Sequence, residues 1–176
     1  MNWRIETKKT AVLLIDLQDK LLSVIENRDR VVQKAVQIVK LAKLFSLPLY
    51  ITEQVPEKLG TTCKEILEVS GEVPRLSKNT FSASPLLPAD IPKNILVCGI
   101  ETHICVRQTV YDLRMRDKTP YVLGDAVSSR NQIDHQLGIE EMRQDRVLIS
   151  SVEAIAWEMI EKAEGAFFKE FLSILK

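Results

Sequence analysis

Three polar side chains stand where apolar runs break off, and their types can do chemistry together. Asp16 directly follows five apolar residues (AVLLI, 11–15), where a carboxylate is costly unless it is paired or used. It suits a general base; it equally suits a helix cap, a position Asp favours. Cys105 lies in the segment GIETHICV (99–106). A thiol in the first turn of a helix gains from the helix's positive end and from free N–H groups. Its pKa would then fall below the usual ~8.5, and the same N–H groups could hold an oxyanion. The alternative is a small buried core residue. Lys78 lies in LSKNTFS (76–82). It is either a solvated surface cation or, if buried beside a carboxylate and a thiol, a device that fixes their charges.

The elements that must position these groups alternate. Apolar or β-branched runs at 11–15, 48–52, 94–98, 120–123 and 146–149 read as strands. Between and after them, 29–45, 104–116, 132–144 and 152–162 carry helical spacing, and 167–175 reads as a short amphipathic closing helix. The continuous run at 11–15 marks a strand buried on both faces. The order predicts a three-layer α/β/α, Rossmann-like, mostly parallel sheet with helices on both faces, and one domain over residues 1–176. Ligands in such sheets bind beyond the carboxyl ends of the strands, where Asp16 and Cys105 fall. Residues 53–92 hold five of the seven prolines and read as an irregular, site-building stretch that contains Lys78. Gly99 supplies freedom for a sharp turn, and Thr102 is a plausible cap for the helix that follows.

Composition removes several function classes. Lys plus Arg and Asp plus Glu number 24 each, so no basic excess favours nucleic acid. Near-zero net charge offers little repulsion against self-association, which points to a homo-oligomer. No apolar run approaches the ~20 residues of a membrane span, and the N-terminus shows no secretory signal core. Three widely spaced cysteines make no disulfide framework, so a reducing, cytoplasmic setting fits. Cys98, inside a strand, reads as core, and Cys63 as a partly exposed bystander.

Together LLIDLQD, LSKNTFSA and CGIETHICV resemble the isochorismatase-like superfamily of cysteine hydrolases. GDAVSSR (124–130) and SVEA (151–154) are similar to further motifs of that family, so the resemblance spans about residues 8–170. It implies Cys105 as nucleophile, Asp16 as the base that takes the thiol proton, and Lys78 as the cation that holds Asp16 ionised. It also implies a turn at Ile100, Glu101 and Thr102 with a cis Ile100–Glu101 bond, whose N–H groups and that of Cys105 stabilise an oxyanion. The implied reaction is hydrolysis of a small amide or related C–N substrate through a thioester. The alternative is an inactive binding or scaffold protein that keeps the fold.

Departures from the family narrow this reading. Its nicotinamidases hold a metal with an Asp-x-His pair and a second His in the middle loop. Here neither histidine, His103 or His135, lies in residues 53–77, nor does any Asp, so neither a metal nor another cofactor is expected. Family members that cleave isochorismate generally lack the cysteine, so Cys105 points toward amide-like substrates. Gln18, Gln54 and Phe81 are candidates for the substrate wall. His103 either lines the pocket or faces solvent or a neighbouring subunit, and Glu101 either contacts substrate or pairs with Arg107. The apolar C-terminal helix offers an interface for self-association.

Overall fold

The computed structural model describes residues 4–160 and 162–176. The first three residues of the N-terminal segment, and position 161 near the end of the expected 152–162 helix, lie outside the described residues.

The elements follow in the order β1 (Thr10–Ile15), α1 (Asp19–Leu22), α2 (Arg28–Leu44), β2 (Leu49–Gln54), α3 (Pro56–Leu59), α4 (Lys64–Ser70) and β3 (Arg75–Lys78). After them come β4 (Asn94–Ile100), α5 (Arg107–Met115), β5 (Thr119–Ser128), α6 (Gln132–Gln144), β6 (Leu148–Ser150), α7 (Val152–Ile160) and α8 (Gly165–Leu175). The six strands form one sheet in the order β3-β2-β1-β4-β5-β6, and every pairing is parallel. The expected α/β layering is therefore present.

Side chains alternate across β1 with the two-residue period of a strand. Val12 and Leu14 join one apolar cluster with Ala35, Ile38 and Val39 of α2, Ile155 of α7 and Phe171 of α8. Ala11, Leu13 and Ile15 join the other with Val110 and Leu113 of α5 and Met142 of α6. Both faces are covered, which is why β1 reads as an unbroken apolar run.

The chain leaves β1 toward β2 and β3, then returns to lay β4 on the other side of β1. The strand order reverses at this point, and in sheets of this kind ligands bind at the carboxyl ends where the two directions part. Register sets the neighbours there: Ile15 pairs with Thr52 on one side and Gly99 on the other, and Gln54 pairs with Lys78. Gly99 is required here. Its φ is +128°, and a Cβ on it would stand 2.1 Å from the Ile15 carbonyl oxygen.

Residues 53–92 contain more order than their prolines suggest. α3, α4 and β3 lie within them, and Lys78 ends a strand rather than sitting in a loop. β3 is short and lies at the sheet's edge, so it lacks the long apolar run of a central strand. β5 continues through GDAVS to Ser128, with a register shift against β4 between Val97 and Gly99. Within it, the Asp125 carboxylate accepts the N–H of Val152, and Ser151 Oγ accepts that of Ala154, so both family-like motifs end up fastening the start of α7.

Part of the apolar face of the C-terminal helix packs inside the chain. Phe171 is buried, and rings from Phe45, Trp157 and Phe168 pack around it, with centroids 5.1–6.5 Å away. Phe167 and Trp157 leave a substantial part of their surface exposed. Among the described residues no helix is long and apolar enough to cross a membrane.

Candidate active site

Asp16 is the first residue past β1, held at φ +55° with its N–H on the Thr52 carbonyl oxygen at 3.1 Å. It caps no helix; the cap position of α1 is Gln18. Its side chain is fully buried, and Thr52 Oγ1 donates to Oδ1 at 2.8 Å. Lys78, 4% exposed, reaches over β2 from the end of β3 and places Nζ 2.6 Å from Asp16 Oδ2. The same ammonium lies 3.7 Å from Cys105 Sγ. Three residues separated by 62 and 27 positions thus meet at one point.

Lys78 is densely surrounded. Besides Asp16 and Cys105, Nζ donates to Gln54 Oε1 at 2.5 Å and to the carbonyl oxygens of Phe81 at 3.0 Å and Thr80 at 3.3 Å. The surface reading of Lys78 therefore fails, since its charge is buried and compensated.

Cys105 does not sit in an ordinary first helical turn. Residues Thr102–Val106 form a wide π turn before α5 begins at Arg107. The Glu101 carbonyl oxygen accepts the N–H of Ile104 at 3.1 Å and that of Val106 at 3.2 Å, passing over Cys105 between them. Thr109 Oγ1 donates back to the Cys105 carbonyl oxygen at 2.6 Å, a contact that bends the start of a helix. Such π turns recur at functional sites. The Ile100–Glu101 peptide is cis, as expected. Thr102 is no cap: it lies inside the turn, fully buried, with Oγ1 2.9 Å from His135 Nδ1.

The charge state of the thiol differs from expectation. Burial pushes the Cys105 thiol up to about 12, the Asp16 carboxylate adds to the rise, and Lys78 opposes it only in part. Proximity to a helix start does not win, because the sulfur is 7% exposed and faces an anion. Burial likewise raises Asp16 above the ordinary carboxylate value, against the pull of Lys78, Thr52 and Cys105. The resting site holds a protonated thiol beside an unusually basic carboxylate.

The remaining expected residues fall around this centre in different ways. Gln18 and Gln54 are buried, but their amides are engaged within the chain. Gln18 Oε1 accepts the Gln54 N–H at 2.7 Å, and its Nε2 donates to the carbonyl oxygens of Gln54 and Gly60 at 3.1 and 2.5 Å. Gln54 Nε2 donates to the Asn79 carbonyl oxygen at 3.3 Å. Phe81 is 53% exposed, on the turn whose carbonyl Lys78 holds. His103 Nδ1 lies 3.0 Å from Ser129 Oγ. Glu101 does not pair with Arg107: its Oε2 accepts the Arg130 N–H at 2.9 Å, while Arg107 pairs with Glu141 at 2.5 Å. Cys98 is core, and so is Cys63, which is fully buried rather than partly exposed. Cys63 opens α4, and its N–H bonds to the Leu17 carbonyl oxygen. Among the described residues no three His, Cys, Asp or Glu side chains gather as a metal site.

Sequence reasoning missed Thr52. Its signal was its place in register beside the end of β1, visible only once the strands are paired.

A family model described as the isochorismatase domain matches residues 10–154. The chain belongs to the isochorismatase family. Isochorismatase domain-containing protein 2A of Mus musculus is 34% identical over 178 residues, which cover 98% of this chain and 85% of the mouse protein. Among solved structures, the MAR1 ribonuclease of Caenorhabditis elegans superposes with a TM-score of 0.92 at 30% identity, covering 98% of this isochorismatase-family chain and 92% of the nematode protein. The YcaC gene product of Escherichia coli, described as an octameric hydrolase of unknown specificity, shares the fold with a TM-score of 0.89 at 21% identity, covering 99% of this chain and 91% of YcaC.

Proposed function

We propose that this isochorismatase-family protein is a cysteine-dependent hydrolase of a small amide or related C–N substrate. The observation that carries the reading is the Lys78 ammonium, 2.6 Å from Asp16 and 3.7 Å from Cys105, buried at the carboxyl end of the sheet.

Asp16 takes the thiol proton as sulfur attacks the carbonyl carbon, so negative charge develops on sulfur only during reaction. Burial that raises Asp16 strengthens it as a base, and Lys78 stabilises the negative charge as it passes to sulfur. The N–H groups of Cys105 and of the Glu101–Thr102 turn would receive the oxyanion; in support, the Glu101 carbonyl bonds to the N–H groups of Ile104 and Val106 and not to that of Cys105. Collapse breaks the C–N bond, and the departing amine takes the proton from Asp16. Water then attacks the thioester with Asp16 as base, releasing the acid and restoring the thiol. The octameric state of YcaC and the zero net charge support a homo-oligomer.

The test is intact-protein and peptide mass spectrometry with a panel of small amides and an activated acyl ester. A transient acyl group on Cys105, absent from Cys105→Ala, is expected. No adduct and no turnover above Cys105→Ala would favour the inactive binding protein instead. Because the C. elegans neighbour is called a ribonuclease, the panel includes single-stranded RNA. RNA cleavage that survives Cys105→Ala would replace the amidase reading; the balanced charge argues against it.

A further inference from the structure

The geometry points to Gln54 as the positioning residue of this site: its buried amide oxygen, oriented by Asn79 and Gln18, holds the Lys78 ammonium between Asp16 and Cys105. This rests on the cysteine-hydrolase reading and gives Gln54 a role distinct from contact with substrate.

An ammonium has three protons, set in a tetrahedral fan. Here the ammonium forms an ion pair with Asp16 Oδ2 at 2.6 Å, and its protons are shared by Gln54 Oε1 at 2.5 Å, the carbonyl oxygens of Phe81 and Thr80, and Cys105 Sγ at 3.7 Å. Lys78 therefore has no proton to spare for a substrate in the resting state. What it can do is place charge, and its place is set by its acceptors. The Phe81 and Thr80 carbonyls belong to the turn that follows Lys78 itself, so they move with it. Gln54 lies on the neighbouring strand, paired in register with Lys78, and supplies a side-chain anchor from outside β3.

The amide cannot turn round. Its Nε2 is committed to the Asn79 carbonyl oxygen, which leaves Oε1 for Lys78. Its backbone is clamped on both sides by Gln18, whose amide bonds to the Gln54 N–H and carbonyl and extends to Gly60. A neutral acceptor is also the right chemistry. A carboxylate here would compete with Asp16 for the lysine and place a second negative charge near a sulfur that must become anionic. An amide accepts the proton and adds no charge.

Two variants separate this role from simple packing. Gln54→Met and, once ionised, Gln54→Glu both lose the Asn79 bond and keep about the same side-chain length. They differ only in what they offer Lys78. The readout is iodoacetamide alkylation of Cys105, followed by peptide mass spectrometry from pH 5 to pH 9, with thermal unfolding as the check on folding. Gln54→Met is expected to slow alkylation by a constant factor at every pH. Gln54→Glu is expected to match Gln54→Met or better in acid, where the new carboxyl is protonated. It should then fall to about tenfold below wild type at pH 8, the equivalent of about one pK unit. Lys78→Met gives the scale of losing the lysine altogether. Equal, pH-independent losses in the two Gln54 variants, or none, while Lys78→Met is slow would overturn the role of Gln54 alone. An unchanged rate in Lys78→Met would overturn the site reading together with it.

Discussion

Lys78 and Phe171 are both buried, yet the clusters around them hold together on opposite terms. Around Phe171, four aromatic rings meet edge-on or stacked at 5.1–6.5 Å, and each contact is weak, unaimed and replaceable. Around Lys78, every proton has an acceptor at a defined distance, and removing one partner strands another in a dry interior. The first kind of burial closes a fold. The second costs desolvation and, on the function proposed above, serves a chemical purpose, so it should fail abruptly and with pH.

The largest expected effect breaks chemistry and spares the fold. Cys105→Ala should abolish the acyl adduct while unfolding within about 1 kcal/mol of wild type, because one small buried atom is lost. Mass spectrometry and urea unfolding on the same samples would show the split; a large stability loss would make Cys105 a core residue first.

Next come two variants of similar expected cost and different cause. Lys78→Met leaves Asp16 buried without its cation, which costs about 3–5 kcal/mol. Phe171→Ala opens a cavity, also at about 3–5 kcal/mol. Their pH dependence should differ. Asp16 already titrates above its ordinary value when folded, and Lys78 is what restrains it. The native state therefore holds this proton more tightly than the unfolded chain, so stability from this group is greatest in acid and falls as pH rises through its folded pKa. Without Lys78 that window extends further upward. The deficit of Lys78→Met relative to wild type should be larger at pH 8 than at pH 5, whereas that of Phe171→Ala should be the same at both. Urea unfolding at the two values decides it; parallel behaviour would erase the contrast between the clusters.

The thiol offers a sharper reading. With Cys105 pushed up to about 12, its alkylation should climb with pH without a plateau below pH ~10. Cys98 and Cys63 should stay silent in the folded protein, since both are fully buried. A plateau near neutrality would mean that Lys78 outweighs burial.

The smallest effect belongs to Thr52→Val, which removes the hydroxyl at 2.8 Å from Asp16 Oδ1. A charge-assisted bond of this kind is worth about 1.5–3 kcal/mol. Its loss raises Asp16 further, so the deficit should shrink in acid, measured as for Lys78→Met.

Much of this was legible in the chain. Runs such as AVLLI and NILVC announce buried central strands because both faces must be apolar, and α6 falls where its spacing places it, over Gln132–Gln144. β3 escaped because an edge strand with one strand neighbour needs no such run. Cys63 escaped because Thr61 and Thr62 beside it suggest exposure, whereas the Thr62 N–H and hydroxyl both bond to the buried Glu53 carboxylate. The π turn escaped because it comes from carbonyl sharing at Glu101 rather than from any residue's preference.

The sequence by itself determined which groups could react, their order, and the strands whose ends present them, because residue type and period are local properties. It also carried the family. The tertiary structure alone decided the rest: that Lys78 is buried, that Gln18 and Gln54 serve the chain's own amides and the lysine, and that Cys105 rests as a thiol. Each of these is a balance between desolvation and partners brought from distant strands. Such a balance exists only once the sheet has assembled.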